Sequence, residues 1–339
     1  MRYARLWLAM FGLSAGLTCV LGPNPVSIVV YPIPIGVLVA KRRWGAVFGL
    51  LAGAGLAAFA GLGALWGILS TVEEKPEVQL SIGGIVALMV STSVNYVFFS
   101  ASGIPIGIGV ARRWSYGRTV SVTTGIVFGV MTAYLVYSWP TFNSQLDALF
   151  EWFREGLRKS AETAGTDVSS EQLDLLHWLQ DNKTALAIGF QFAVDLGVTC
   201  VLVSLTVGAM RRWFGDPGPE GSFRTMRPPD WLVWLAIGAV VLWMFDQQWP
   251  NYSIRFVSWN MAVGVGTIYV LNGLSIFLYG LHVLAPGFLV LALVIMLVAS
   301  IGLLPVLGAV GFSDTWIDFR IRCDRLAEAI RSAGDGRDK

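Results

Sequence analysis

Long apolar runs separated by short polar connections fill most of the chain. A helix needs about 20 apolar residues to cross roughly 30 Å of hydrocarbon, and runs of that order recur along the whole sequence. The pattern therefore predicts an all-α fold, a polytopic transmembrane helical bundle of about eight to ten spans. The predicted spans cover residues 6–21, 26–40, 44–72, 78–111, 119–137, 184–210, 231–245, 256–281 and 287–312.

Two stretches leave the exact number of spans open. The run 78–111 is too long for one straight crossing, and its Gly-Ile-Pro-Ile-Gly segment at 103–107 is expected to kink it or to end it in a short second piece. The stretch 256–312 is long enough for two tilted crossings or for three short ones.

The connections between the spans alternate in charge. Basic turns at 41–43, 112–113 and 211–212 alternate with acidic or neutral connections that contain Glu74 and Glu171. Because cytoplasmic loops carry an excess of lysine and arginine, we expect the N-terminus and the basic turns to face the cytoplasm. Nine spans would place the C-terminal tail outside, whereas the arginines of the tail favour the inside.

The connection after residue 138 has helical patterns of its own. The segment from Ser169 to Gln172 is typical of a capping box that opens an amphipathic helix. An earlier helix is indicated by apolar residues at helical spacing: Leu146, Leu149, Phe150, Phe153 and Leu157. These helices either lie at the outer membrane surface or form a lid over an outward-facing cavity.

These patterns divide the chain into four parts. They are an N-terminal helical bundle (1–138), an outer amphipathic loop (139–183), C-terminal transmembrane helices (184–312) and a charged tail (313–339).

The composition is that of a membrane protein. Of 339 residues, 55% are hydrophobic and only 14% are charged, against about 25% charged residues in an average soluble domain. We expect a multi-pass protein of the bacterial cytoplasmic membrane, with a retained first helix and no soluble catalytic domain. The cysteines lie far apart, and no second cysteine or histidine stands at ligand spacing beside any of them. We therefore expect no disulfide framework and no metal site, and we expect no cofactor.

The sequence repeats itself weakly. Pro-Ile-Pro-Ile-Gly at 32–36, with a basic turn after it, returns about 71 residues later as Gly-Ile-Pro-Ile-Gly at 103–107, again with a basic turn. Arginines commonly end inward-facing helices, which accounts for the basic part but not for the repeated Pro-Ile-Gly. We interpret the repeated residues as a structural motif: Pro32, Pro34, Gly36, Pro105 and Gly107.

The motif at 32–36, continuing into the glycine-rich segment 45–53, resembles the second and third helices of S components of energy-coupling-factor transporters. Over nearly its whole length the chain more closely resembles the YybS-like family (DUF2232) of bacterial membrane proteins, a family considered related to S components. Further segments that carry this likeness are 107–113, 223–229, 272–275 with His282, 311–314 and 318–320. The resemblance implies a membrane fold that binds a small molecule, although a shared fold does not prove transport.

One carboxylate lies near the middle of an apolar run, that of Asp195. A charge there costs at least about 2.5 kcal/mol on insertion scales, so it should face the bundle or a watery cavity. Gln191, Asp195 and Thr199 follow at i, i+4 and i+8 and form a polar stripe, either a candidate ligand-binding site or a buried hydrogen-bonding staple. Three amides on other helices are candidate ligand-binding partners or interhelical hydrogen-bonding groups: Asn95, Asn260 and Asn272.

Small residues indicate faces for close helix packing. In S components such a face on the first helix docks the coupling subunit, and the resemblance gives this role to Gly12 and Gly16. Packing within the bundle is the alternative for these two glycines. In the third run small residues repeat every four positions, which favours packing within the bundle: Gly45, Gly49, Gly53, Ala57 and Gly61.

A charged group lies where the last span meets the tail, at Asp314, Asp318 and Arg320. The two aspartates are one turn apart and can cap a helix or pair with arginines. We expect a structural anchor, because two surface carboxylates without a pocket are a weak catalytic signal.

The sequence contains neither a nucleotide-binding G-x-x-x-x-G-K-[ST] loop nor an H-E-x-x-H metal motif. The chain therefore cannot supply its own ATPase, and neither enzyme activity nor nucleic-acid binding is expected. The leading hypothesis is an S-component-like subunit in the lipid bilayer that binds a small organic molecule and depends on a separate coupling protein and ATPase. The alternatives are a membrane scaffold or assembly factor, and an ion or proton carrier centred on Asp195.

Overall fold

A computed structural model of the chain describes residues 32–71, 97, 100–164, 169–215, 220–284 and 300–335. Over these residues the fold is all-α, as predicted, and contains no β-strand. The helices are α1 (Pro32–Ala40), α2 (Trp44–Thr71), α3 (Gly103–Ala111), α4 (Tyr116–Tyr137), α5 (Trp139–Ala164), α6 (Ser170–Phe214), α7 (Leu232–Gln248), α8 (Tyr252–Leu284), α9 (Ser300–Ile317) and α10 (Phe319–Asp335). The predictions for the span 6–21, for Gly12, Gly16 and Asn95 lie outside the described residues.

Several of these helices have the length and composition of membrane spans. Three are long and apolar enough to cross a bilayer: Tyr116–Tyr137, Ser170–Arg212 and Tyr252–Leu284. Shorter apolar helices cover Trp44–Ala60, Leu232–Gln248 and Gly302–Ile317. All of them overlap spans predicted from the apolar runs, and the chain is an all-α helical membrane bundle.

Two helix boundaries test the sequence predictions directly. A separate helix begins at Gly103, as its Gly-Pro-Gly pattern predicts. The helix predicted to open at Ser169 and the span predicted from Thr184 form one continuous helix of 45 residues, α6. It continues because neither proline nor glycine stands between Ser170 and Gly189 to end it. The predicted capping residue is confirmed, since the Ser169 hydroxyl accepts a hydrogen bond from the Gln172 N–H at 3.4 Å.

The chain forms two compact units. Unit 1 contains Met1–Val127 and Asp195–Met226, and unit 2 contains Phe128–Val194 and Arg227–Lys339. Two of the three unit boundaries fall inside α4 and α6, and the third lies between Met226 and Arg227, before α7. The four-part division drawn from the sequence stays a prediction.

Within unit 1, the two copies of the Pro-Ile-Gly motif pack directly against each other. Gly103 of α3 lies against Pro32 and Gly36 of α1. One turn later, Gly107 lies against Gly36 and Val39. Because the contacts advance in the same direction along both helices, α1 and α3 are parallel. A side chain at Gly103 or Gly107 would collide with the α1 backbone, so only glycine permits this approach.

The C-terminal half of α6 packs against both α1 and α4 in unit 1. Thr206 lies against Gly36 of α1. The Tyr116 hydroxyl donates a hydrogen bond to the Cys200 carbonyl at 3.0 Å, and the Tyr116 N–H donates one to the Glu220 carbonyl at 2.8 Å. The start of α4 and the end of α6 therefore lie at the same end of unit 1.

In the small-residue stripe of α2, the burial of Gly45, Gly49 and Gly53 is described, whereas that of Ala57 and Gly61 lies outside the described residues. Gly45 and Gly49 are exposed, and a side-chain carbon at either position would meet nothing within 4 Å. Gly53 is only half-buried. The spacing of small residues indicates that a face can pack closely, but it does not identify the helix that would cover it.

In unit 2, α7 and α9 pack on the long helix α8. Leu232 at the start of α7 forms a buried cluster with Val265 and Tyr269 of α8. Gly273 lies against the α9 backbone, and Gly311 lies against the Tyr269 carbonyl, so α8 and α9 cross with their backbones in close contact.

Candidate functional site

An apolar cavity of about 270 Å³ lies between α5 and α6 in unit 2. Its walls are mostly aliphatic and aromatic side chains, and its polar lining residues are Lys183 and Gln191, two turns apart on α6. This composition is typical of a small-molecule site, in which apolar walls supply burial and a few polar groups fix orientation. The principal apolar residues are Leu135, Phe142, Leu146, Phe150, Leu186 and Phe190.

Helix α5 forms one wall of this cavity, and its role as a lid stays a prediction. Leu146 and Phe150, two residues of its predicted apolar face, line the cavity. Leu149 and Phe153 of the same face are about half exposed. An apolar flank of an amphipathic helix in this position suits the membrane interface.

A polar contact fixes α5 to α6 beside the cavity. Lys183 forms an ion pair with Asp147 of α5, and its hydrogen bond and charge hold the pKa of the Asp147 carboxyl below its usual range. Further along α5, Arg154 donates a hydrogen bond to the Gln180 side-chain oxygen at 3.0 Å. These contacts between α5 and α6 must break before α5 can move away from the cavity.

The predicted polar stripe lies on one helix, because Gln191, Asp195 and Thr199 all belong to α6. Asp195 is 1% exposed and Thr199 is 2% exposed, so both are buried in unit 1. Thr206 lies almost two turns beyond Thr199 on the same face and contacts Gly36. Gln191 belongs to unit 2, where it lines the cavity.

Asn260 joins two helices within unit 2. Its side-chain nitrogen donates hydrogen bonds to the Phe256 carbonyl at 2.7 Å and to the Ala185 carbonyl. Its side-chain oxygen accepts one from the Gly189 N–H. Backbone groups of α6 and α8 therefore occupy the hydrogen-bonding groups of this amide, which is the geometry of an interhelical link. Asn260 is not among the residues that line the cavity.

Asn272 belongs to a second, charged cluster, in which Arg320 is the central residue. The Arg320 guanidinium lies 2.8 Å from the Asp314 carboxylate and donates hydrogen bonds to Asn272 at 3.2 Å and Ser275 at 2.7 Å. Asn272 in turn donates to the Gly311 carbonyl at 2.9 Å. We call these residues the Arg320 cluster. Bonding of this kind fits the anchor predicted at Asp314 and Arg320.

The second carboxylate of the predicted anchor, Asp318, pairs outside the Arg320 cluster. It lies 3.2 Å from Arg227, which also donates a hydrogen bond to the Asp314 carbonyl at 3.4 Å. The segments 223–229 and 272–275 are distant in sequence from 311–314 and 318–320, yet each of the four contributes a residue to this connected group of contacts.

Sequence reasoning missed Lys183, Asp147 and Thr206. Lys183 stands at the start of an apolar run and looks like an ordinary interfacial cation. Its partner is 36 residues away in sequence, and no local pattern connects the two. Thr206 could have been found by extending the stripe of Asp195 and Thr199 along the helix, because it falls on the same face.

Comparison with known proteins places the chain among membrane proteins. The model of a family described as predicted membrane protein (DUF2232) matches residues 77–315, which is more than half of the chain. No curated protein and no solved structure matches the chain significantly. Among the residues that the structure describes, no group of three or more His, Cys, Asp or Glu side chains could hold a metal ion.

Proposed function

Since the chain belongs to the DUF2232 family of predicted membrane proteins, we propose that it is the substrate-binding subunit of a membrane uptake system. It binds a small organic molecule, and a separate coupling protein and ATPase drive the transport. The likeness to YybS-like proteins and to S components supports this assignment. The protein acts in the bacterial cytoplasmic membrane and is not itself an enzyme.

The cavity between α5 and α6 is the observation that carries this proposal. Its volume of about 270 Å³ is close to the lower limit for ligand sites, so the ligand is small. Leu146, Phe150 and Phe190 provide apolar contact, and Lys183 and Gln191 are the polar residues of the lining. The cavity therefore suits a mostly apolar ligand with few polar groups.

The sequence itself supports dependence on a separate ATPase. It has no Walker loop to bind nucleotide. A capture subunit requires only a binding site and a surface for the coupling protein, and Gly12 and Gly16 are the proposed surface.

The test compares two tryptophan substitutions on the same helix. Leu146 lines the cavity, whereas Leu149 is 45% exposed. Leu146→Trp fills the cavity and should abolish retention of a bound small molecule, whereas Leu149→Trp should leave retention unchanged. Mass spectrometry of small molecules released from protein purified in mild detergent measures the outcome. A Leu146→Trp protein that still carries the same molecule contradicts the proposal.

A membrane scaffold or assembly factor is the second candidate function, and α10 favours it. One side of α10 is held by the Arg320 cluster, and Ala327 is buried. Leu326 and Ile330, one turn apart, are each more than half exposed and offer an apolar surface to a partner. If this function is correct, Leu326→Ser with Ile330→Ser removes a co-purifying protein and leaves the membrane insertion of the chain unchanged.

A further inference from the structure

The two basic turns that end α1 and α3 have the same backbone structure. Arg42 and Arg113 both adopt the left-handed conformation, with φ of 57° and 52°. In each turn the next residue donates a backbone hydrogen bond to a carbonyl five positions earlier, from Arg43 to Leu38 and from Trp114 to Gly109, both at 2.9 Å. Glycine adopts this conformation without steric cost, yet arginine occupies it in both turns.

The parallel packing of α1 and α3 brings the two turns together. The helices are in contact at Gly36 and Gly107, which occupy equivalent positions in the two copies of the motif, and both end one to two turns later. The turns therefore lie side by side at one end of unit 1. Lys41, Arg42 and Arg43 of one turn are exposed. We call the two turns, residues 41–43 and 112–114, the twin turns.

The turn that ends α3 adds further positive charge beside the turn that ends α1. Arg112 and Arg113 are exposed. Arg118, in the first turn of α4, is also exposed, and its guanidinium stacks over the Trp114 ring at 4.9 Å from the ring centroid. The twin turns thus present a dense group of guanidinium groups together with an interfacial tryptophan.

Basic residues outnumber acidic residues in the described part of unit 1. In the described part of unit 1, the acidic residues are Asp195, which is buried within α6, and Glu220. The contrast with unit 2 is clear, since cations there form ion pairs, among them Lys183 with Asp147, Arg255 with Asp246 and Arg320 with Asp314. Unit 1 thus presents an excess of positive charge that an anionic ligand can neutralise.

We propose that the twin turns bind the phosphate headgroup of an anionic phospholipid. Arginine forms bidentate hydrogen bonds with phosphate. Helices α2 and α4 begin directly after the two turns, so the positive N-terminal ends of both helix dipoles lie beside the arginines. Basic pockets between transmembrane helices bind such headgroups in membrane proteins.

The surface below the turns selects a lipid over a free phosphate ion. Trp44, Phe48 and Phe59 of α2 are 43%, 66% and 42% exposed, and their spacing places them along one side of the helix. This apolar strip begins at the turn itself. A phospholipid can therefore place its headgroup at the arginines and an acyl chain along α2, which inorganic phosphate cannot do.

The test measures lipid selectivity in the purified full-length protein. Phosphatidylglycerol and phosphatidylcholine with identical acyl chains are added separately, and native mass spectrometry counts the lipid retained. The wild type should retain phosphatidylglycerol about tenfold or more in preference to phosphatidylcholine. An excess of inorganic phosphate should not displace the bound lipid; complete displacement would overturn the lipid assignment.

Three double variants separate the effect of charge from that of backbone conformation. Arg42→Gly with Arg113→Gly keeps the left-handed turns but removes the charge, and should abolish the preference for phosphatidylglycerol. Arg42→Lys with Arg113→Lys should keep most of it. The control, Arg158→Gln with Lys159→Gln, removes two positive charges from exposed positions on α5 and should bind like the wild type.

A glycine variant with undiminished selectivity, or a control that loses as much, would overturn the proposal. If the double glycine protein does not purify, Arg42→Gly and Arg113→Gly are measured singly, and each must weaken the preference for the proposal to stand.

Discussion

The Arg227 guanidinium lies 3.2 Å from the Asp318 carboxylate and so connects the segment before α7 to the corner between α9 and α10. Both side chains are partly exposed, as expected of an ion pair at a membrane surface. We therefore expect the two residues to lie on the same side of the membrane, with an even number of crossings between them. The sequence leaves three or four spans after Arg227, and of these two counts only four would place both residues on the same side.

Labelling of single cysteines tests this topology. In a background without native cysteines, Asp230→Cys and Arg322→Cys replace exposed residues that flank the ion pair. We expect an impermeant thiol reagent to label both positions from the cytoplasmic side and Glu171→Cys from the outside. Labelling of positions 230 and 322 from opposite sides would contradict the inference drawn from Arg227 and Asp318.

Removing Arg320 should destabilise the protein far more than removing Arg227. Arg320→Leu leaves the Asp314 carboxylate, 1% exposed, without its charged partner, a loss of about 3–5 kcal/mol. Arg227→Leu removes one member of an exposed pair and should cost about 1 kcal/mol or less. Thermal melting of the purified proteins should show this order. Equal melting temperatures for the two variants would exclude the Arg320 cluster as an anchor of α10.

The attachment of α5 should depend on pH through Asp147. The lowered pKa of its carboxyl means that the ion pair with Lys183 stabilises the folded state above the usual pKa near 3.8. That contribution is lost as the pH falls below this value. Spin labels on Trp152→Cys of α5 and Leu175→Cys of α6 should therefore report a broader distance distribution at low pH. Asp147→Asn should show the broad distribution at every pH, and a pH response that persists in this variant must have another origin.

Substitutions of Asp195 test whether this carboxylate contacts the ligand. Asp195 does not line the cavity between α5 and α6, so Asp195→Asn, which preserves shape and hydrogen bonding, should melt normally and retain a molecule bound in that cavity. Asp195→Leu should lower thermal stability, because it leaves buried polar groups unsatisfied at a cost of about 1–3 kcal/mol. An Asn variant that melts normally but loses ligand retention tenfold or more, equivalent to about 1.4 kcal/mol, would contradict a site confined to the cavity and favour Asp195 as a ligand-binding residue.

Local patterns in the sequence were sufficient to predict the helices, but not to predict which helices pack against each other. The apolar runs predict the spans, and the lack of proline or glycine before Gly189 explains why the helix capped by Ser169 and the span that follows it form one helix, α6. The spacing of apolar residues distinguishes an amphipathic segment from a membrane span, but a change of that spacing does not end a helix. The helical backbone continues until a residue such as proline or glycine ends it. The Ser169 cap was readable because capping depends on neighbouring residues only.

The internal repeat shows where sequence reasoning stops. The repeated Pro-Ile-Gly predicted two similar pieces, but not that Gly103 and Gly107 would pack on Gly36 in parallel. Likewise, the ion pair of Asp147 with Lys183 joins positions that no local pattern relates. Such pairings follow from how the helices assemble, and that information is not contained in periodicity.

The close approach of α1 and α3 leads to a prediction about two helical glycines. A methyl group at Gly107 would collide with the Gly36 carbonyl and with Val39, so Gly107→Ala must separate the helices at a cost of about 1–3 kcal/mol. The matched control is Gly45→Ala, which meets nothing within 4 Å and should stabilise α2 by up to about 1 kcal/mol through its higher helix propensity. The same substitution should therefore lower the melting temperature at one position and raise or preserve it at the other. If both variants melt alike, the parallel contact that brings the twin turns together does not exist.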